Sequence, residues 1–330
     1  MLSRRELFQL GLLAGLTGLS SCGREINAPV LRASLETLPK AWLDLLPKPW
    51  AFKPLEAKSV LNSSDLVLAA NTDLLAIGDG WISGLATGIL QPIGAGETFS
   101  RLNNQANEFL KGFHSDLFSR ILPIGLSPWV MLFRNGKEWF PRAKEGWNVL
   151  LDRDLTGHVV LPASPRIVMS IADRISEPDA LRKLRIQALT FDDRNSLNWL
   201  LAGKARVAIL PLYRCFRSLS RDPRLSIAIP QSGTPLHWTV LVRPGKANEP
   251  LPTDWLEKAW EMPLLGELIA RGWMPPLPHS ELLQAMQNVP DVYKPLLLPP
   301  ESFWKECWSL PTLTPFESNR LEQRWVQSTP

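Results

Sequence analysis

The sequence predicts an α/β fold built from many short elements. Three observations predict it. Apolar strand-like runs alternate with helix-patterned segments along most of the chain, the order that gives α/β architecture. The chain has 330 residues, 45% of them hydrophobic and 21% charged, which is globular composition and enough for about two domains. Its 30 prolines and 14 tryptophans mean frequent rigid turns and large indole surfaces to bury or to present to a ligand.

Val30-Leu31-Arg32-Ala33-Ser34 reads as a first short strand. Pro39 then opens a helix through Ala41 to Leu46, stopped by Pro47 and Pro49. Trp50 to Leu55 alternates as a second strand, and its proline at 54 favours a sheet edge. Leu66 to Ala70 and Leu74 to Ile77 are short apolar runs, the second delivering the chain into Gly78-Asp79-Gly80-Trp81. A turn of that kind can put backbone amides and a carboxylate at a cleft. Ile121 to Phe133 is apolar and extended, because Pro123 and Pro128 forbid a continuous helix. His158 to Pro162 reads as a buried strand, followed by a helix with Ser164 as N-cap and Pro165 in its first position. Ser196 to Ala202 reads as a helix closed by Gly203, Arg206 to Leu210 as a strand, and Leu236 to Pro244 as a further crossing strand. Trp255 to Ala270 is patterned as one helix. No internal repeat or low-complexity tract is visible.

Ser3-Arg4-Arg5-Glu6-Leu7-Phe8 places Arg4 and Arg5 just before an uncharged stretch, Leu10 to Leu19, far shorter than the ~20 residues of a membrane-spanning helix. The segment resembles a twin-arginine export signal. Leu19-Ser20-Ser21-Cys22 resembles a bacterial lipobox, and that resemblance implies cleavage before Cys22 and a lipid on its thiol. A plain signal with a chance cysteine is the alternative. Loss of residues 1–21 removes Arg4, Arg5 and Glu6 and lowers the net charge from +4 to +3. So small and dispersed an excess excludes a nucleic-acid footprint. Cys215 and Cys307 then remain, to be paired or left as two free thiols.

Enzyme signatures are missing. There is no Gly-x-Ser-x-Gly, no His-Glu-x-x-His and no Gly-x-x-x-x-Gly-Lys-Ser/Thr. Gly125-Leu126-Ser127-Pro128-Trp129 lacks the closing glycine of a nucleophile elbow, and the histidines at 114, 158, 237 and 279 have no metal-ligand spacing. Asp192-Asp193 ahead of Ser196 reads as a helix start with favourable dipole charge. No catalytic residue, metal or cofactor is assigned.

A strand-helix lobe, a crossing near 121–133, a strand-helix middle and a return crossing near 235–244 together resemble the two-lobe plan of periplasmic solute-binding proteins. Leu74 to Leu90, Trp147 to Ile175 and Gly203 to Pro211 are similar to the polyamine-binding branch of ABC-transporter solute receptors. The resemblance implies a type 2 periplasmic-binding-protein fold with the ligand cleft between lobes. Residues 22–125 plus 240–330 would form lobe 1, and 126–239 lobe 2. It also implies an exported, lipid-anchored monomer that passes a small solute, polyamine-like in this branch, to an ABC permease. Polyamine receptors of this kind hold ammonium groups with carboxylates and stack aromatics along the methylene chain. Here Ala163-Ser164-Pro165-Arg166-Ile167 stands where acidic residues would flank the arginine, and Thr239 where a last carboxylate would stand. A diamine or triamine site is therefore short of charge partners, and a scaffold that has lost its ligand is the alternative.

The expected ligand-binding residues are Asp79, Trp81, Trp129, Ser164, Arg166, Tyr213, His237 and Trp238. Asp79 is a ligand-amine partner or a turn residue. The three tryptophans form a stacking cage or belong to the core. Arg166, a cation where the helix dipole favours anions, holds a ligand carboxylate or a lobe-closing salt bridge. Ser164 is a cap whose hydroxyl could serve both roles, Tyr213, after Pro211, is a cleft candidate, and His237 is a ligand contact or an interior histidine.

Overall fold

The computed structural model describes residues 28–55, 72–85, 87–192 and 194–330. The export signal, Cys22, the Leu66–Ala70 run and Asp193 lie outside them. Ten strands are described: β1 (Val30–Ala33), β2 (Ala51–Pro54), β3 (Leu74–Gly78), β4 (Leu90–Gln91), β5 (Ile121–Arg134), β6 (Val159–Leu161), β7 (Ala188–Phe191), β8 (Val207–Pro211), β9 (Leu225–Ala228) and β10 (Leu236–Pro244). Their order is β2-β1-β3-β10-β5-β8-β6-β7, with β4 on β10 and β9 on β5. β2 is an edge, as its proline predicts.

The sheet has two halves joined by one strand. Residues 121–128 of β5 pair antiparallel with β10, while 129–134 pair with β8 and β9. The changeover falls at Pro128, which has no N–H to give a ladder. Pro123 is accommodated the same way, at a register shift between Thr239 and Val240 of the partner strand. Side chains alternate across β5 and β8. Val130, Leu132, Ala208 and Leu210 therefore join the apolar cluster that runs under the first half. Met131, Phe133, Val207 and Ile209 face a second cluster around Trp147 and Val168.

Two further segments cross between the halves. Residues 229–235 link β9 to β10, and Thr234 Oγ1 donates to the Trp129 carbonyl, tying the two crossings together. Gly233, at φ +83°, lies so close to the 301–306 helix that an added Cβ would sit 2.0 Å from the Glu306 carbonyl oxygen. Beyond Glu306 the chain runs beside this crossing, with Leu236 N–H donating to the Trp308 carbonyl at 2.8 Å. It ends in the helix Pro315–Gln327, which opens on a Thr314/Glu317 capping box. That helix sits on the second half: Arg324 pairs with Asp173, and Arg185 lies 4.0 Å over the Trp325 ring. The sequence plan placed residues 240–330 wholly with the first lobe, whereas this last helix packs on the second half.

Two other sequence readings are corrected. Trp255–Ala270 is two helices, Thr253–Lys258 and Leu264–Ala270, because Pro263 cannot donate into a continuous helical ladder. Ser164 occupies the N-cap position of the helix Pro165–Ala172, but its hydroxyl makes no capping bond. Cys215 and Cys307 are both free thiols. In the first half Trp42 and Trp255 stack at 4.6 Å, and each indole N–H donates to the other's carbonyl, at 3.0 and 2.9 Å. Among the described residues no helix is long and apolar enough to cross a membrane.

Candidate functional site

β3 ends at Gly78, and the chain turns at once into a 3-10 helix, Asp79–Gly84, whose first residue is a carboxylate. Gly78 pairs with Thr239 of β10, so the Asp79 side chain reaches back over that strand. Its Oδ1 accepts the Trp238 N–H at 3.1 Å and lies 3.4 Å from His237 Nδ1. Glycine before it leaves room for the His237 ring, which a Cβ at 78 would approach to 2.9 Å. His237 stacks on Tyr213, centroids 5.6 Å apart, and presents to Trp129 edge-on at 6.3 Å. Tyr213 begins the helix that follows β8, and its N–H donates to the Ser127 hydroxyl at 3.2 Å. Four of the expected residues, Asp79, Trp129, Tyr213 and His237, are thus brought together where the two halves meet.

Arg166 approaches the same place from the second half. Its guanidinium donates to the Pro311 carbonyl and acts electrostatically on Asp79 and Glu317. Ser164 stands half-buried just ahead of it in the chain. Trp81, on the 3-10 helix, is 42% exposed. Trp238 is placed elsewhere. Being next to His237 on a strand it points to the opposite face, where it is fully buried, stacks on Phe109 at 4.5 Å and donates from Nε1 to Ser309. It is a core side chain of the first half, so for Trp238 the core alternative holds and the stacking cage does not.

Burial sets the electrostatics. The Asp79 side chain is 9% exposed, and desolvation pushes its pKa up to about 7 despite the bonds it accepts and the nearby Arg166. Burial, then the Arg214 charge, brings His237 down to about 4. Between those values both partners are neutral, so the close Asp79–His237 contact is a contact of uncharged groups, not an ion pair. Burial also lowers the Arg166 pKa, from a range in which it stays charged. Arg214, from the helix after β8, pairs with Glu36 in the first half at 3.0 Å, so a salt bridge also spans the two halves.

Sequence reasoning missed Trp273. Its ring covers Gly125, where a Cβ would lie 2.6 Å from it, and meets Tyr213 edge-on at 6.2 Å. The one signal was Gly125 itself, a glycine in an apolar strand that marks a close approach. The space between Gly125, Ser127, Tyr213, His237, Thr239 and Trp273 admits no water-sized sphere. A larger groove of about 1050 Å³ lies against the first half, over Phe109, Leu126, Leu236, Leu282 and Trp304. It is lined from the opposite face of β5 and β10 and contains none of the eight expected residues. Among the described residues no group of three His, Cys, Asp or Glu could hold a metal.

No protein-family profile matches the chain, and no curated protein sequence matches it. Solved structures do. The spermidine/putrescine ABC transporter substrate-binding protein PotD from Streptococcus pneumoniae superposes with a TM-score of 0.69 at 11% identity, covering 91% of this chain and 97% of that one. The TpPotD lipoprotein of Treponema pallidum gives 0.69 at 12% identity, covering 91% and 98%. A ferric binding protein from Campylobacter jejuni gives 0.59 at 13%, again covering 91% and 98%. The fold of this chain is accordingly that of the type 2 periplasmic binding proteins.

Proposed function

We propose that this protein is an extracytoplasmic solute receptor, closing two lobes on a small solute and presenting it to an ABC-type permease. The observation that carries the reading is the junction itself. One carboxyl, one guanidinium and four aromatic rings converge from both halves of a sheet that share the strand β5. Such a junction can rotate about Ser127–Trp129 and residues 229–235, and a solute that favours the closed form shifts that equilibrium. Lobe 1 in this reading is the first half of the sheet with residues 22–125 and 240–311. Lobe 2 is residues 126–239 with the final helix carried on it. The receptor acts as a monomer, performs no chemistry on its solute and binds no nucleic acid. It is exported by its Arg4-Arg5 signal and held to a membrane by lipid on Cys22. The names of the solved neighbours, a spermidine/putrescine ABC transporter substrate-binding protein and a ferric binding protein among them, support the class of function. The named solutes belong to those proteins.

One observation favours a second reading. The junction has no room for a water-sized sphere, because its own aromatics fill it. A membrane-tethered scaffold that has kept the fold and lost its ligand would look like this. Melting temperature against a panel of polyamines, amino acids, sugars, organic acids and metal ions separates the two. A receptor at a solute concentration of about 100 times Kd gains about 2.7 kcal/mol. A scaffold that unfolds cooperatively gains nothing from any member.

A further inference from the structure

The polar inventory of the junction argues for a particular solute class, an argument that rests on the receptor reading above. Each ammonium of a polyamine, once stripped of water, requires a carboxylate partner. Among the described residues lining the junction, Asp79 is the one carboxyl, and it already accepts the Trp238 N–H. The second half contributes cations instead, Arg166 and Arg214. Hydrogen-bond donors are in surplus. The indole N–H groups of Trp129 and Trp273 have no hydrogen-bond partner, although these residues are only 6% and 4% exposed. A buried donor left unpaired costs about 1–3 kcal/mol, so both sites are poised to receive acceptor oxygens. Opening of the halves would free Ser127, Thr239 and Tyr213 beside them to complete a ring of polar groups.

We propose that the solute is a small oxyanion, with its oxygens received by the Trp129 and Trp273 indoles and its charge balanced by Arg166. Asp79 then acts as a proton-dependent gate on affinity. It is neutral below about pH 7 and becomes a like charge beside the anion above it. The groups facing it are His237 from β10 and Arg166 from the 165–172 helix. Arg214 acts on His237, and Glu317 on Arg166.

Isothermal titration of the full chain tests this with succinate, lactate, glutamate and inorganic phosphate in one arm and putrescine and spermidine in the other. Glucose and glycerol serve as neutral-class probes. Saturable binding of a carboxylate or of phosphate supports the proposal, and the arm that responds identifies which oxyanion. Carboxylate affinity should fall toward tenfold for each further step of one in pH above about 7, and Asp79→Asn should abolish that fall. Trp273→Phe, which keeps a ring and removes the N–H, and Arg166→Gln should each weaken binding about tenfold or more, with the melting temperature of the free protein as the folding control. Binding of a polyamine or of a neutral probe alone, or affinity that rises with pH, overturns the oxyanion assignment while the receptor reading stands. No binding by any probe in either arm or control overturns the receptor reading itself.

Discussion

Replacing Asp79 by Asn should change how stability depends on pH while leaving stability at about pH 4 little altered. Asn is isosteric and still accepts the Trp238 N–H, so the fold around the 3-10 helix is kept. In the wild-type chain the Asp79 pKa is raised from 3.8 to about 7, so the native state holds a proton that the unfolded state has already lost. Its contribution is present in full below about pH 4 and is lost as pH rises through 7. His237 works in the other direction. Its pKa is lowered from 6.5 to about 4, so its contribution is present above pH 6.5 and is lost as pH falls through 4. Each tenfold change in proton affinity between the folded and unfolded states corresponds to about 1.4 kcal/mol. Asp79 therefore accounts for on the order of 4 kcal/mol across its window, and His237 for on the order of 3 kcal/mol across its own, both upper limits. Over the shared window the two slopes nearly cancel, and together they leave the wild-type curve flat. Without the Asp79 carboxyl the His237 slope stands alone, and the variant should gain on the order of 3 kcal/mol between about pH 4 and pH 6.5. Urea unfolding at a series of pH values gives both curves. The variant-minus-wild-type difference should climb with pH up to about 7 and then level. Parallel curves would refute the reasoning, since they would mean that Asp79 is ionised in the native state and that Arg166 outweighs burial.

Four other outcomes follow from the packing. Trp255→Ala removes one partner of the reciprocal indole pair and strips the Trp42 ring of its stacking neighbour, so it should cost about 3–5 kcal/mol, read from the urea midpoint at unchanged slope. Gly125→Ala pushes a methyl into the Trp273 ring and should cost about 1–3 kcal/mol while weakening solute binding in the same thermal-shift assay. Gly233→Ala should cost more than Gly125→Ala, because it is opposed by a main-chain carbonyl and carries a positive φ as well. Truncation after Thr312 removes the Arg324–Asp173 pair and the Trp325 ring over Arg185, but no fully buried side chain. It should cost only about 1–2 kcal/mol, and the loss of amide protection should be confined to helices 165–172 and 180–187.

Much of the scaffold is legible in the sequence because strands advertise themselves. The run 236–244 is found as a strand with its bounds as read, and the apolar, doubly proline-marked 121–133 segment is the long shared strand β5. Prolines also mark what they do: Pro54 lies on an edge, and Pro128 lies at the point where β5 changes partners. Pro263 carries the same information, and the helical pattern of 255–270 masks it. The junction is legible only in part, for a reason of register. Side chains alternate along a strand, so the sequence alone does not say whether His237 or Trp238 faces the other half until the pairing of β10 with β3 is known. The pairing assigns His237 to the junction and Trp238 to the core. Trp273 was missed because its place over Gly125 is made by contacts nearly 150 residues apart in sequence, and Gly125 marks the approach without naming what approaches. Ser164 shows the converse case, a cap residue by position that makes no capping bond.

Rotation of the two halves about their crossings, governed by a solute, is the central claim. Spin labels on Leu283→Cys in the first half and Ile186→Cys in the second, both exposed positions, report the distance between halves when Cys22 and Cys307 are replaced by Ser. The account predicts a broad distance distribution for the free protein that collapses to its short component when the solute found in the binding panel is added. A single unchanging distance, with and without that solute, would contradict it.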